Sequence, residues 1–121
     1  MKLRIKGNSI RIRLSKSEVA TLSDGLPLRE ITNFGSAQLV YMVTPVGSEK
    51  MSASFENNTV TMVVPLNYLA GWPSNTVVGF EETIEVGNDQ PLRLLLEKDF
   101  KCLDVVEEDQ ADFFENPSKS C

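Results

Sequence analysis

Lys2-Leu3-Arg4-Ile5-Lys6-Gly7-Asn8-Ser9-Ile10-Arg11-Ile12-Arg13-Leu14 alternates basic and aliphatic side chains on both sides of a Gly-Asn pair. Alternation with period two marks strands with one buried face, and Gly-Asn between two such runs marks a two-residue hairpin turn. Centring the pairing on that turn sets Lys6 opposite Ser9, Ile5 opposite Ile10, Arg4 opposite Arg11, Leu3 opposite Ile12 and Lys2 opposite Arg13. One face of the hairpin is then aliphatic and the other almost wholly basic. Each directly opposed like-charge pair costs a few tenths to about 1 kcal/mol, so something of opposite charge is expected on that face.

Working outward, Ser15-Lys16-Ser17-Glu18 is a capping box that opens a helix near residues 15–24. Val19 and Leu22 form its apolar stripe, Gly25 permits a left-handed cap, and Pro27 stops continuation. Strand patterns follow at Glu30 to Phe34 and Gln38 to Thr44, with a break expected from Pro45 to Ser48. Asn57-Asn58 can supply the two positive φ angles of a type I′ turn, which places Phe55 opposite Val60, Ala53 opposite Met62 and Met51 opposite Val64. A short helical segment is expected near 65–71, then strands from Val77 to Val86 and from Leu92 to Phe100. The unbroken Leu94 to Leu96 run predicts a central strand covered on both faces.

These elements predict an α+β fold of mostly antiparallel β-hairpins in a curled sheet or partial barrel. Residues 1–101 form one β-rich domain, and residues 102–121 form an acidic C-terminal tail packed on it. In that tail Asp104, Glu107, Glu108, Asp109, Asp112 and Glu115 face only Lys119, while Phe113 and Phe114 argue against simple disorder. The 121-residue length leaves room for one core.

Composition removes much chemistry. The chain has no histidine, which excludes histidine-dependent triads and HExxH metal sites, and it lacks a P-loop, a dinucleotide fingerprint and a GxSxG elbow. No catalytic residue is singled out, no cofactor is implied, and an enzyme is not expected. A net charge of −5 disfavours general nucleic-acid binding. No apolar run near the amino terminus is long enough for a signal sequence or membrane span, which predicts a cytoplasmic protein with no membrane partner.

Charge is unevenly distributed, however. Residues 1–16 contain Lys2, Arg4, Lys6, Arg11, Arg13 and Lys16 with no acid, half of all the basic residues. That basic face is the candidate binding surface of a non-enzymatic interaction domain, with the chain's own acidic tail, an acidic patch on a protein partner or another copy, or a phosphate-bearing ligand such as nucleic acid as its occupant. Solvated Lys and Arg on an edge hairpin also block edge-to-edge aggregation without any partner. Cys102 and Cys121 are the only cysteines. In a reducing compartment they are expected as thiols; the alternatives are a disulfide, worth roughly 3 kcal/mol by loop closure, or a small metal or redox site with tail carboxylates.

Two resemblances add to this. Gly7-Asn8-Ser9 with Ile10, Ile12, Arg13, Leu14 and Lys16, followed by a helix, resembles over residues 6–24 the AbrB-type swapped-hairpin regulators and antitoxins. That resemblance implies interleaved hairpin dimers and DNA contacts through Arg11, Arg13 and Lys16. Lys6-Gly7-Asn8-Ser9-Ile10-Arg11, Leu96-Glu97-Lys98-Asp99-Phe100-Lys101-Cys102-Leu103, Glu108-Asp109-Gln110, Asn116-Pro117 and Cys121 are together similar to a bacterial domain-of-unknown-function family of about this length. This broader resemblance implies a bacterial cytoplasmic protein and assigns no ligand.

Overall fold

The Gly7-Asn8 and Asn57-Asn58 hairpins form in the register that alternation predicts. Strand β1 (Lys2–Lys6) pairs antiparallel with β2 (Ser9–Leu14), from Lys2 opposite Arg13 to Lys6 opposite Ser9. Gly7 supplies the positive φ of that turn, at 54°. Strand β5 (Ser52–Glu56) pairs with β6 (Thr59–Pro65), and Asn57 and Asn58 have φ of 51° and 59°, as a type I′ turn requires. The computed structural model describes residues 1–100. The expected tail, 102–121, with Cys102 and Cys121, lies outside the described residues.

Helix α1 (Lys16–Ser23) starts at the capping box. Ser15 Oγ accepts from the Glu18 amide at 3.3 Å, and Glu18 accepts from the Ser15 amide at 2.8 Å. Its end is a Schellman turn, with Gly25 at φ 85° and the Leu26 amide donating to Thr21 O. The remaining strands are β3 (Leu28–Asn33), β4 (Gln38–Val46), β7 (Gly79–Ile84) and β8 (Leu92–Lys98), and the segment near 65–71 is a single 3-10 turn at Leu66–Leu69.

The fold is α+β and mostly β, with its strands divided between two open four-stranded sheets, β1-β2-β8-β7 and β3-β4-β6-β5. Each sheet is built alike: two antiparallel hairpins whose second strands run parallel, β2 beside β8 and β4 beside β6. The first and last hairpins of the chain make one sheet and the middle two make the other. Local alternation shows hairpins but not these parallel seams, because the partners come from distant parts of the chain. Pro45 does not break β4. Beyond Val43, which pairs with Leu28 at the start of β3, β4 has a partner on the β6 side only, a position where a strand tolerates proline.

The inner faces of the two sheets and α1 enclose one core of Ile12, Leu14, Val19, Leu22, Val43, Met51, Met62, Val64, Leu69, Trp72, Leu94 and Leu96. Trp72 is fully buried against Phe80, with ring centroids 4.8 Å apart, and its indole N–H donates to Val77 O at 2.8 Å. The aromatic group around Trp72 is therefore core. Leu94, Leu95 and Leu96 are all buried, as expected of a central strand.

At Gly79, β7 comes so close to β8 that a Cβ would collide with Leu96 O and lie 2.8 Å from Glu97 Cα. We expect Gly79→Ala to destabilise the fold by about 1–3 kcal/mol, as overpacking does, read as a lower midpoint in urea unfolding. A second prediction concerns the helix start. Burial alone would raise the Glu18 carboxyl, but its hydrogen bonds from the N-terminal amine at 2.6 Å and from Ser15 outweigh this and hold it below its ordinary value. A carboxyl held low in the folded state adds stability above its unfolded value and loses it as pH falls through the folded one. Glu18→Ala should thus cost about 1–2 kcal/mol at neutral pH, as a lost cap does, and the loss should shrink in acid.

Candidate functional site

The outer face of the first sheet follows from strand alternation and register. Arg4, Arg11, Leu95 and Glu81 form one row across β1, β2, β8 and β7. Lys2, Arg13, Glu97 and Gly79 form the next, and Lys6, Ser9, Arg93 and Thr83 form the third. The face is thus basic over β1 and β2, and becomes mixed where β8 and β7 contribute acids.

Those acids answer part of the basic charge. Glu97 Oε1 lies 3.1 Å from Arg11 Nε and 3.6 Å from Arg13 Nε. The Arg11 contact is close enough for an ion pair yet lacks hydrogen-bond alignment, so the buried Nε has no hydrogen-bond acceptor among the described residues. Lys2 Nζ binds Asp99 at 2.8 Å, a hydrogen bond that holds the Asp99 carboxyl below its ordinary value. Arg93 Nε donates to Glu81 at 2.8 Å, which lowers the Glu81 carboxyl in the same way.

Arg4 and Lys6 form no ion pair among the described residues. With Gly7, Ser9, Arg11 and Arg93 they line a concavity of about 440 Å³. Four cationic side chains and no carboxylate face this space. Asn8 ties its two walls together: its side chain donates to Pro91 O at 2.9 Å, and its carbonyl accepts from the Arg93 amide at 3.0 Å. Such a setting suits an oxyanion, because guanidinium groups present paired donors that match carboxylate or phosphate geometry.

Of the sequence-predicted residues, Arg4, Lys6 and Arg11 come together here, with Lys2 and Arg13 along the same face. Lys16 lies apart, at the start of α1, where it borders a smaller hollow with Leu14, Val19 and Phe100. Sequence reasoning missed Arg93. The signal available was its place as the one polar residue in Leu92 to Leu96, but only the parallel seam brings it beside Ser9. That seam also bears on the interleaving that the AbrB-type resemblance implies. Both edges of β2 are occupied within this chain, by β1 and β8, and so β2 offers none to a second copy.

A second concavity, of about 410 Å³, opens between the sheets at the hairpin-tip end. Ile5, Ile10, Leu39, Ala53, Phe55, Val60, Val86 and Leu92 line it with Ser54, and no charged group does. Ile5, Phe55 and Val86 are 57%, 68% and 53% exposed, so the core is open there. Among the described residues, no group of three His, Cys, Asp or Glu side chains is placed to hold a metal, and no helix is long and apolar enough to cross a membrane.

Loss of Glu97 should expose the cost of gathering these cations. We expect Glu97→Gln to destabilise by roughly 1–2 kcal/mol, between the worth of an exposed ion pair and the cost of breaking a buried one, with the deficit reduced at high salt. In that background Arg4→Ala should recover part of the loss by relieving the Arg4–Arg11 repulsion, which a double-mutant cycle in urea would read. Neither a curated protein nor a solved structure matches the chain. A family model described as a family of unknown function (DUF7009) matches residues 1–118, nearly the whole sequence, and the chain belongs to that family.

Proposed function

We propose that the protein is a non-enzymatic, cytoplasmic interaction domain of bacterial origin that takes carboxylate groups of an acidic protein segment in the Arg4, Lys6, Arg11 and Arg93 pocket. The observation that carries this reading is a 440 Å³ concavity lined by four cations and no acid, in which Arg4 and Lys6 have no carboxylate partner among the described residues, while Lys2, Arg11, Arg13 and Arg93 on the same face have one. Arg4 and Arg11 stand directly opposite each other. Their repulsion is a standing cost that a bound anion would relieve.

An acidic protein segment fits better than nucleic acid. A phosphate backbone runs long and needs a continuous basic track, whereas Glu81, Glu97 and Asp99 interrupt this face beyond the pocket. A short run of Asp or Glu side chains needs only the local cluster.

The test is calorimetric titration of the full chain with an oligoglutamate peptide, with duplex DNA as comparison. We expect the peptide to bind, to weaken with added salt, and to lose about tenfold in affinity or more, some 1.4 kcal/mol, in the Arg4→Ala plus Lys6→Ala variant. Peptide binding indifferent to that double substitution would contradict the assignment of the pocket. DNA binding tighter than the peptide, with a steep salt slope, would replace the acidic segment by nucleic acid.

A further inference from the structure

We propose that the chain's own acidic segment, residues 101–121, docks on the Arg4, Lys6, Arg11 and Arg93 pocket and competes there with the external acidic partner. This rests on the reading of the pocket as a carboxylate site and assigns its regulation.

Charge complementarity comes first. Residues 101–121 carry Asp104, Glu107, Glu108, Asp109, Asp112 and Glu115 against Lys101 and Lys119, whereas residues 1–16 carry six cations and no acid. Within the described residues, Arg4 and Lys6 are the members of the pocket left without an acid.

The point where the described chain ends favours the same contact. Strand β8 runs parallel to β2, and just past it the Asp99 amide donates to Leu14 O at 2.8 Å while the Asp99 carboxylate holds Lys2 on β1. The chain therefore leaves the sheet beside the basic face, with its last described acid already on it. From the Leu14 end of β2 to the Ser9 end is about 17 Å at strand rise. The chain from Phe100 to Asp104 reaches at most about 14 Å and to Glu115 about 50 Å, so the acids bracket the pocket. The family match runs to residue 118, which makes this segment part of what the family shares.

A tethered competitor acts at an effective concentration set by its linker, on the order of millimolar for short ones. An external segment then binds with an affinity reduced by the fraction of molecules whose pocket is open. The apolar hollow between the sheets presents no cation and has no charge match to these carboxylates.

The two native cysteines allow a direct test. A nitroxide placed on Cys121 in a Cys102→Ser full chain should broaden the backbone amide signals of residues 4–11 and of Arg93. The broadening should fade in high salt and in a variant with Asp104→Asn, Glu107→Gln, Glu108→Gln, Asp109→Asn, Asp112→Asn and Glu115→Gln. That variant, unlabelled, should bind oligoglutamate about tenfold more tightly than the parent, in line with release of a closed fraction. Broadening confined to Phe55, Val60 and Val86 would place the segment in the apolar hollow and overturn the proposal, as would no broadening on the described domain. Broadening at residues 4–11 with no oligoglutamate binding in either chain would retain the docking and reject the external partner. Tight oligoglutamate binding unchanged by the neutralised tail, without broadening, would do the reverse.

Discussion

The parallel ladder between β2 and β8 is the contact on which the rest of the molecule depends. It runs from Ser9 beside Arg93 to Leu14 beside Lys98 and closes the first and last hairpins of the chain into one sheet. Its inward side chains, Ile12, Leu14, Leu94 and Leu96, are fully buried and form much of the core against the second sheet. Without it the first hairpin would be a two-stranded ribbon, which is marginal in water.

The same ladder manages the charge that the first hairpin brings. By register alone it sets Glu97 beside Arg13 and within 3.1 Å of Arg11, and it carries Arg93, already held by Glu81, to the hairpin turn. Basic residues that repel one another in an isolated hairpin thus become a graded surface. At the Leu14 end the acids of β8 and Asp99 answer the cations. At the Gly7-Asn8 end Arg4 and Lys6 are unanswered among the described residues, and there the surface is concave. Placing the binding function at that end follows from this gradient rather than from the total charge.

What was legible in the sequence was local. The Gly7-Asn8 and Asn57-Asn58 registers, the Ser15 to Glu18 capping box and the buried Leu94 to Leu96 strand each depend on residues a few positions apart, and their physics is carried by alternation, turn chemistry and caps. The two parallel seams were not legible, because a parallel pair leaves no turn between its strands. Arg93 went unnoticed for that reason, since nothing in Leu92 to Leu96 says that its outward residue will stand beside Ser9. Pro45 misled for a related cause. Its cost depends on which neighbour a strand has, and β3 has already begun its pairing at Val43 when β4 reaches it. Three of the four cations of the candidate site, Arg4, Lys6 and Arg11 on β1 and β2, could be named from the alternating face, while Arg93, which closes it, needed the fold.

We assign ligand binding on this face to the pocket built where β1 and β2 meet β8. The most direct measurement is the nuclear magnetic resonance spectrum of the arginine Nε–Hε groups during addition of oligoglutamate to the full chain, because the five arginines report separate places on the molecule. The Arg4, Arg11 and Arg93 signals should move together along one saturable curve while Arg29, on β3 of the other sheet, stays in place. Signals that remain still at Arg4, Arg11 and Arg93 while amides around Phe55 and Val86 shift would contradict this assignment and move the binding function to the apolar hollow.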